Sequence, residues 1–351
     1  MDFTLTDEQE LLVDTARSLL GREFGSTQLR EVINGQADGT ALFERHLRDW
    51  VALADGPTVD WALFGIELGA ACAPGPFLVT AGLFTPLLLA IDHPLAPAAL
   101  TGELTGTVAI AGADGVWRPN DDPVRTQVID LDRVDHVAVI GTAGPAGTGG
   151  TGGTAGPGAA TLAVLDAPAL TAQRIDTLDL LRTVHRFEIP DGTAFDALPI
   201  ETLPLDRMTL TFAAELVGTA RWALDTAVAY AKERVQFDRP IGSFQAIQHK
   251  LADAALTYER AAAALSAAAM RVDAGDPEAE AAVHVAKVQA DIAAKRCTRD
   301  AVQVLGGVGF TWEHDLHLRV RRATATSAIA GTDGWHLDRI AELIFDSPQF
   351  D

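Results

Sequence analysis

Basic residues are scarce in this sequence: 27 Lys and Arg stand against 48 Asp and Glu, a formal charge of −21. So acidic a surface repels a nucleic-acid backbone and an anionic membrane, and neither partner is expected. Cysteine is scarcer. Cys72 and Cys297 are too few for a disulfide framework and fall in helical-looking runs. They are expected to be buried thiols in a reducing cytoplasm. Long apolar runs are missing too. The most apolar stretch, FLVTAGLFTPLLLAI at 77–91, is too short to span a bilayer and contains Pro86. The first residues, MDFTLTDEQE, lack the cationic flank of a secretion signal. Nine histidines are scattered along the chain. The closest pair, His314 and His317, has no Cys or carboxylate set at ligand spacing around it, so a solvated pair and no metal site is expected.

The 351 residues that remain to be explained are long for one domain and imply two or three sub-domains around a sizeable core. Residues 1–102 read as helical. Thr6 with Gln9 forms a capping box, and Leu11, Leu12, Ala16, Leu19 and Leu20 follow at helical spacing. Further helices are expected at 41–53, from a cap at Thr58 or Asp60 to the Pro74-Gly75-Pro76 break, and over 78–91. Residues 103–203 change character. TVAIAGA (107–113), VDHVAVIG (134–141), ATLAVLD (160–166) and VHRFEIP (184–190) read as strands of a small antiparallel sheet or barrel. Between two of them lies GTAGPAGTGGTGGTAGPGAA (141–160), a composition that suits a flexible loop. A phosphate-cradling reading of that loop needs a helix start after it, and a strand follows. Residues 204–351 are helical again, with helices expected at 206–234, 242–273, from Pro277 to Leu305, 315–328 and 334–346. Three of these approach 30 residues and are rich in Ala, as suits a four-helix bundle. The expected class is α+β: a helical domain, a small β domain, then a helical bundle.

Two stretches of the bundle carry chemistry. In AKERVQFDRPIGSFQAIQHKLAD (231–253), Arg234 ends a long helix beside Phe237 and a Pro-Gly turn, where a guanidinium can meet a diphosphate bidentately. In AVQVLGGVGFTWEHDLHLRVRRA (301–323), Gly306 and Gly307 let backbone approach a nucleotide with no Cβ in the way. Gln245 and Gln303 can hydrogen-bond a polar edge. Taken singly, Arg234 is equally a helix-dipole partner and Gly306-Gly307 an ordinary helix stop.

In this order the two stretches resemble the acyl-CoA dehydrogenase family, whose usual wording is Arg-x-x-Phe-Gly, a Phe-Gln or His-Gln pair opening a helix, then Gln-x-x-Gly-Gly-x-Gly and Arg-Asp. The helical, β, helical order is also that family's. The resemblance implies that FAD lies across a subunit interface, with one chain's sheet domain holding the flavin ring and the neighbour's bundle holding the ADP end. It implies cofactor contacts from Arg234, Gln236, Phe237, Phe244, Gln245, Gln303, Leu305, Gly306, Gly307 and Thr332.

The departures from that pattern are as informative. SAIAGTDGWH (327–336) holds Ala330 where the family usually has the Glu that removes the substrate's α-proton, and loss of a placed base costs at least about two powers of ten in rate. Members that keep their Glu on the first bundle helix place it near Met208 or Thr209, and neither is acidic. Glu215, two turns on, shares the face of Met208 about 10 Å further along and is the alternative base. A paired structural carboxylate is the other reading of it. The sheet region has neither Thr-Glu-Pro-x-Ala-Gly-Ser-Asp nor Trp-Ile-Thr, the family's flavin grip. The N-terminal domain lacks the Gly-rich segment that usually precedes the third helix.

A chain with the ADP-side motif but without base and flavin grip resembles the non-catalytic, β-type subunit of the α2β2 acyl-CoA dehydrogenases with which actinobacteria degrade steroid side chains. A Lys-poor, Ala/Gly/Asp-rich composition suits such a GC-rich source. That resemblance implies an acyl-CoA substrate, a second catalytic chain supplying the Glu, and electron-transfer flavoprotein as acceptor. A vacated half-site would leave room for a bulky ring-bearing acyl group. Two alternatives stand beside it: a self-sufficient homo-oligomeric dehydrogenase using Glu215, and a non-redox CoA- or flavin-binding relative.

Overall fold

The structure, a computed structural model, describes residues 3–142 and 159–345. Helix α1 (Asp7–Glu23) opens on the expected capping box: Thr6 Oγ1 accepts from Gln9 N, and Gln9 Oε1 from Thr6 N, each at 3.2 Å. Helices α2 (Ser26–Ile33) and α3 (Gly39–His46) follow. The helix expected over 41–53 ends early, because a 3-10 turn, Arg48–Asp55, takes over at Leu47. Helix α4 (Thr58–Ala71) begins where expected but is not capped by Thr58 or Asp60. Instead the Asp273 carboxylate, 215 residues on from Thr58, accepts from Thr58 N (2.7 Å) and Val59 N (3.0 Å). The apolar run at 77–90 is one helical rod with a π-turn in the middle: α5 (Phe77–Val79), Thr80–Phe84, then α6 (Thr85–Ala90), with α7 (Ala96–Leu100) beyond. Among the described residues no helix is long and apolar enough to cross a membrane.

The strands form two sheets. The first has the order β1 (Gly106–Ala109), β3 (His136–Thr142), β4 (Ala160–Asp166), β7 (Asp196–Leu198). The second has β2 (Val124–Ile129), β6 (Val184–Glu188), β5 (Ala172–Ile175). The expectation of one antiparallel sheet is corrected here: β1 pairs β3 in parallel, Gly106 opposite His136. Strands β2, β5 and β7 escape sequence reading for a common reason. All three lie at sheet edges; β5 and β7 are short and largely exposed, so burial imposes no alternation on them, and in β2 a register shift between Arg125 and Val128 breaks it. Most of the Gly-rich stretch read at 141–160 lies outside the described residues.

Three long helices make the second helical region: α8 (Leu205–Glu233), α9 (Gln245–Asp273) and α10 (Ala279–Leu305), joined by α11 (Leu316–Thr326) and α12 (Asp333–Phe345). A two-stranded hairpin, β8 (Val235–Gln236) and β9 (Arg239–Pro240), links α8 to α9. The Ala residues expected on the inner face of α8 are buried, including Ala213, Ala214, Ala220 and Ala227. Helix α8 also meets α4 at backbone distance. A Cβ on Gly69 would strike the backbone of Glu215, and one on Gly218 the carbonyl of Ile66. That contact fixes the height of Glu215 in the molecule. Below it, Trp61, Phe64 and Phe77 stack into an aromatic core, and Trp61 Nε1 donates to Thr211 Oγ1 at 2.8 Å.

Candidate functional site

The first bundle motif sits at the end of α8. Arg234 leaves the helix extended, and the hairpin turns at Phe237 (φ +54°) and Asp238 (φ +62°). Two consecutive left-handed residues match the twist of a tight hairpin, but they are unusual without glycine. The turn thrusts Phe237 into solvent, 87% exposed. Its ring meets Phe244 edge-on (6.1 Å), and the Arg239 guanidinium lies 4.1 Å over the Phe244 ring. Helix α9 then starts with no side chain capping it, so its first N–H groups and positive dipole end stay available to an anion. The side chains of Arg234, Gln245 and Gln303 have no hydrogen-bond partner among the described residues.

The second motif is brought beside the first by the antiparallel packing of α9 on α10. Lys250 pairs with Asp300 (3.2 Å), and Cys297 Sγ donates to the Ala254 carbonyl (3.5 Å). Extending that register by a turn and a half sets the start of α9 next to Leu305. There Gly306 ends α10 at φ +61°, ψ −132°, a conformation open to glycine almost alone. Nothing lies within 4 Å of where a Cβ on Gly306 or Gly307 would stand. Phe310 and Trp312 are exposed just beyond. Arg234, Gln236, Phe237, Phe244, Gln245, Gln303, Gly306 and Gly307 therefore gather at one end of the bundle, although some 60 residues separate the two motifs. Leu305 is buried and can offer only backbone. Thr332 stands apart. Its hydroxyl caps α12 by accepting from Trp335 N (3.3 Å), and the neighbouring Asp333 pairs with Lys295, about 15 Å along α10 from Leu305.

The candidate base lies in a different setting. Glu215 is wholly buried, and Met208 and Thr209, about two turns earlier on α8, bring no carboxylate. Oε1 of Glu215 accepts from Arg182 (2.6 Å) and Arg322 (2.8 Å), and Oε2 from Arg182 (3.1 Å) and Thr326 (3.0 Å). Burial pushes its carboxyl up, but Arg182 and then Arg322 pull it down further, to about 2. A carboxylate so held is a poor proton acceptor near neutrality. This is the paired structural reading of Glu215. Arg322 in turn pairs with Asp179. Asp179 and Arg182 come from the β5–β6 connection, so the network ties that connection to α8 and α11. None of the four charged groups is more than 4% exposed.

Sequence reading missed Asp179, Arg182 and Arg322. One signal was legible: the 301–323 stretch reads Arg321-Arg322 and holds no Arg-Asp pair, a departure from the family wording, although nothing in the sequence names the acids that Arg322 meets. Ala330 itself is fully buried in the left-handed region (φ +57°), with its carbonyl accepting from His336 Nε2 (2.8 Å). His314 and His317 are not solvated as expected: they lie half-buried against Trp222 and Trp312. No group of three metal-ligating side chains occurs among the described residues. Cys72 and Cys297 are buried free thiols, Cys297 pushed by burial to about 12.

The chain has measurable kinship with known proteins. The family model described as acyl-CoA dehydrogenase, C-terminal domain, matches residues 198–345. The acyl-CoA dehydrogenase IpdE2 of Mycobacterium tuberculosis is 30% identical over 364 aligned residues, covering 98% of this chain and 100% of that one. Two other mycobacterial relatives are matched over shorter stretches, of whose lengths this chain spans 25% and 53%. Among solved structures, the ChsE4-ChsE5 complex from Mycobacterium tuberculosis superposes with a TM-score of 0.83 at 23% identity, covering 99% of this chain and 100% of that one. The Tcur3481-Tcur3483 steroid ACAD, in a G363A variant, gives 0.82 at 24%, covering 97% and 98%.

Proposed function

The chain belongs to the acyl-CoA dehydrogenase family, and from its geometry we propose that it is the non-catalytic subunit of a heteromeric, FAD-dependent member. One observation carries this reading: residue 330 is a buried Ala, and the nearby acid Glu215 is clamped between two arginines. Neither position can take a proton from a substrate carbon.

The residues at the end of the bundle fit the ADP half of FAD. Arg234 offers a free guanidinium to a diphosphate, and the uncapped start of α9 adds N–H donors. Gly306 and Gly307 leave open space for a close approach, and Phe237 and Phe244 offer ring faces. The seam between the sheet region and the bundle does not fit the flavin ring or a thioester, being closed by Asp179, Arg182, Glu215 and Arg322. Bound FAD supplies the acceptor for the hydride that leaves the acyl β-carbon. This chain's residues would hold only its nucleotide end, and a second chain would supply ring pocket, base and acyl-CoA site. Two solved structures with this fold name two chains each, and one is described as a steroid enzyme. That precedent supports a paired assembly, and the steroid enzyme among them a bulky acyl-CoA substrate; electron-transfer flavoprotein as the acceptor follows from the family resemblance alone.

Expression alone and with a partner dehydrogenase chain that retains its acid tests the reading. The expected result is a colourless protein alone and a yellow, active complex together. A yellow chain that turns over an acyl-CoA by itself overturns it.

A further inference from the structure

Beside residue 330 lies a set of buried polar groups that the proposed function does not use. His336 of α12 is fully buried, and His284 of α10 nearly so. Their Nδ1 atoms stand 2.6 Å apart. On its far side His336 Nε2 is 2.8 Å from the Ala330 carbonyl.

The directions of these bonds can be derived. A carbonyl only accepts, so His336 carries its proton on Nε2. Nδ1 of a neutral ring is then an acceptor. His284 must therefore hold a proton on its own Nδ1 and donate it inward. The outer nitrogen of His284, Nε2, faces Glu280 at 3.8 Å, and Glu280 is half-exposed. A proton gained or lost there leaves the inner donor sequence unchanged. Burial first, and then the neighbouring cations, keep the His336 ring neutral, against the opposing pull of Asp333. Lys287 is buried one turn from His284 and paired with Asp291 (2.7 Å), while Asp333 at the start of α12 is paired with Lys295 (2.9 Å). Glu280 also holds Arg339 (2.7 Å). Burial and then Lys287 drive His336 down to about 3.

What the His336 ring touches is a turn that does not form freely. Ala330 is left-handed, and Gly331 follows at φ +96°. A side chain on Gly331 would run into Trp335 and come within 2.8 Å of His336 Nε2. An alanine in that region is held there by its surroundings.

We propose that His284 and His336 form a pin of fixed tautomers that holds the 330–332 turn closed against α10, with His336 as a positioning residue and His284 fixing its ring. The pin sets the start of α12 and the direction of the Thr332 hydroxyl. Only its bearing on flavin, through Thr332, rests on the proposed function.

The test uses the full chain, with its partner chain where needed for solubility, labelled with ¹⁵N-histidine. The expected spectrum shows His336 protonated on Nε2 alone and His284 on Nδ1, with His336 unchanged from pH 8 to pH 5. A His336 protonated on Nδ1, or cationic at pH 7, overturns the pin. Amide exchange over residues 329–336 should rise at least tenfold in His336→Ala and return most of the way in His336→Gln, which keeps an N–H for the carbonyl. Equal exchange in all three proteins overturns it as well. If His336→Ala does not fold, the spectrum of the unaltered chain still decides. Flavin content of the paired complex is a separate readout. A pin that passes both tests while flavin retention is untouched by His336→Ala removes Thr332 from the cofactor surface and leaves the pin standing.

Discussion

Arg182 grips Glu215 fork to fork: Nη2 lies 2.6 Å from Oε1 and Nη1 3.1 Å from Oε2, with both side chains out of water. The pair joins a loop between two strands to the middle of the first long bundle helix. Arg322 and Asp179 complete it, so two positive and two negative groups balance inside one buried cluster. Breaking one member leaves an uncompensated charge, which is far costlier than never having built the cluster.

Glu215→Gln preserves the shape of the side chain and leaves Arg182 and Arg322 facing one buried acid. Stability should fall by about 3–5 kcal/mol, read from denaturant unfolding. Turnover per folded complex should stay within a few-fold of the parent. A thousandfold loss would return the base to this chain.

Acid should act on the same cluster. Glu215 stands at about 2 in the folded chain against an ordinary 4.5. Its contribution is therefore present above pH 4.5 and fades as the pH falls through about 2. At full strength the depression corresponds to about 3 kcal/mol. The stability gap between the parent and Glu215→Gln should be constant from pH 7 to 5 and shrink below 4.5. A gap that widens on acidification would contradict the sign.

Arg234→Ala removes an unpaired guanidinium from the proposed nucleotide surface. Charge-assisted hydrogen bonds are worth about 1.5–3 kcal/mol, so flavin affinity of the paired complex should drop by roughly 10- to 100-fold. Arg234→Lys should recover part of it, because an ammonium keeps the charge without the fork. Unchanged flavin content in dialysed complex would remove Arg234 from the site.

At residue 330 two substitutions should pull in opposite directions. Ala330→Gly relieves a left-handed alanine and should stabilise the chain by about 1 kcal/mol. Ala330→Glu places a carboxylate at a fully buried point and should destabilise it without giving activity on any acyl-CoA. Thermal melts and a dye-reduction assay read the two outcomes.

Gly218→Ala tests the contact of α4 with α8. The added methyl would sit on the Ile66 carbonyl, so the helices must part, at a cost of at least about 1–3 kcal/mol. An unchanged melting temperature would mean that the helices are not in backbone contact.

Much of this protein was written in its sequence. Period and composition placed the three long helices to within a few residues, because a helix states its buried face every third or fourth residue. The capping box at Thr6, the end of the first long bundle helix at Arg234 and the stop at Gly306 are local events, decided by neighbours a few positions away; the turn itself falls at Phe237-Asp238 and not at the expected Pro-Gly. That residue 330 is Ala where the family resemblance leads one to expect Glu was also plain, since the comparison needs only the letter at one position.

What tertiary structure decided was every pairing over long distance. The cap of α4 comes from Asp273, the clamp on Glu215 from Arg182 and Arg322, and the contact that seats His336 from His284. Each is a polar contact between residues with no fixed spacing, so no period announces it. Only folding creates the dry space in which such groups must find each other. The edge strands β2, β5 and β7 belong with them, since their partners and not their own residues make them strands.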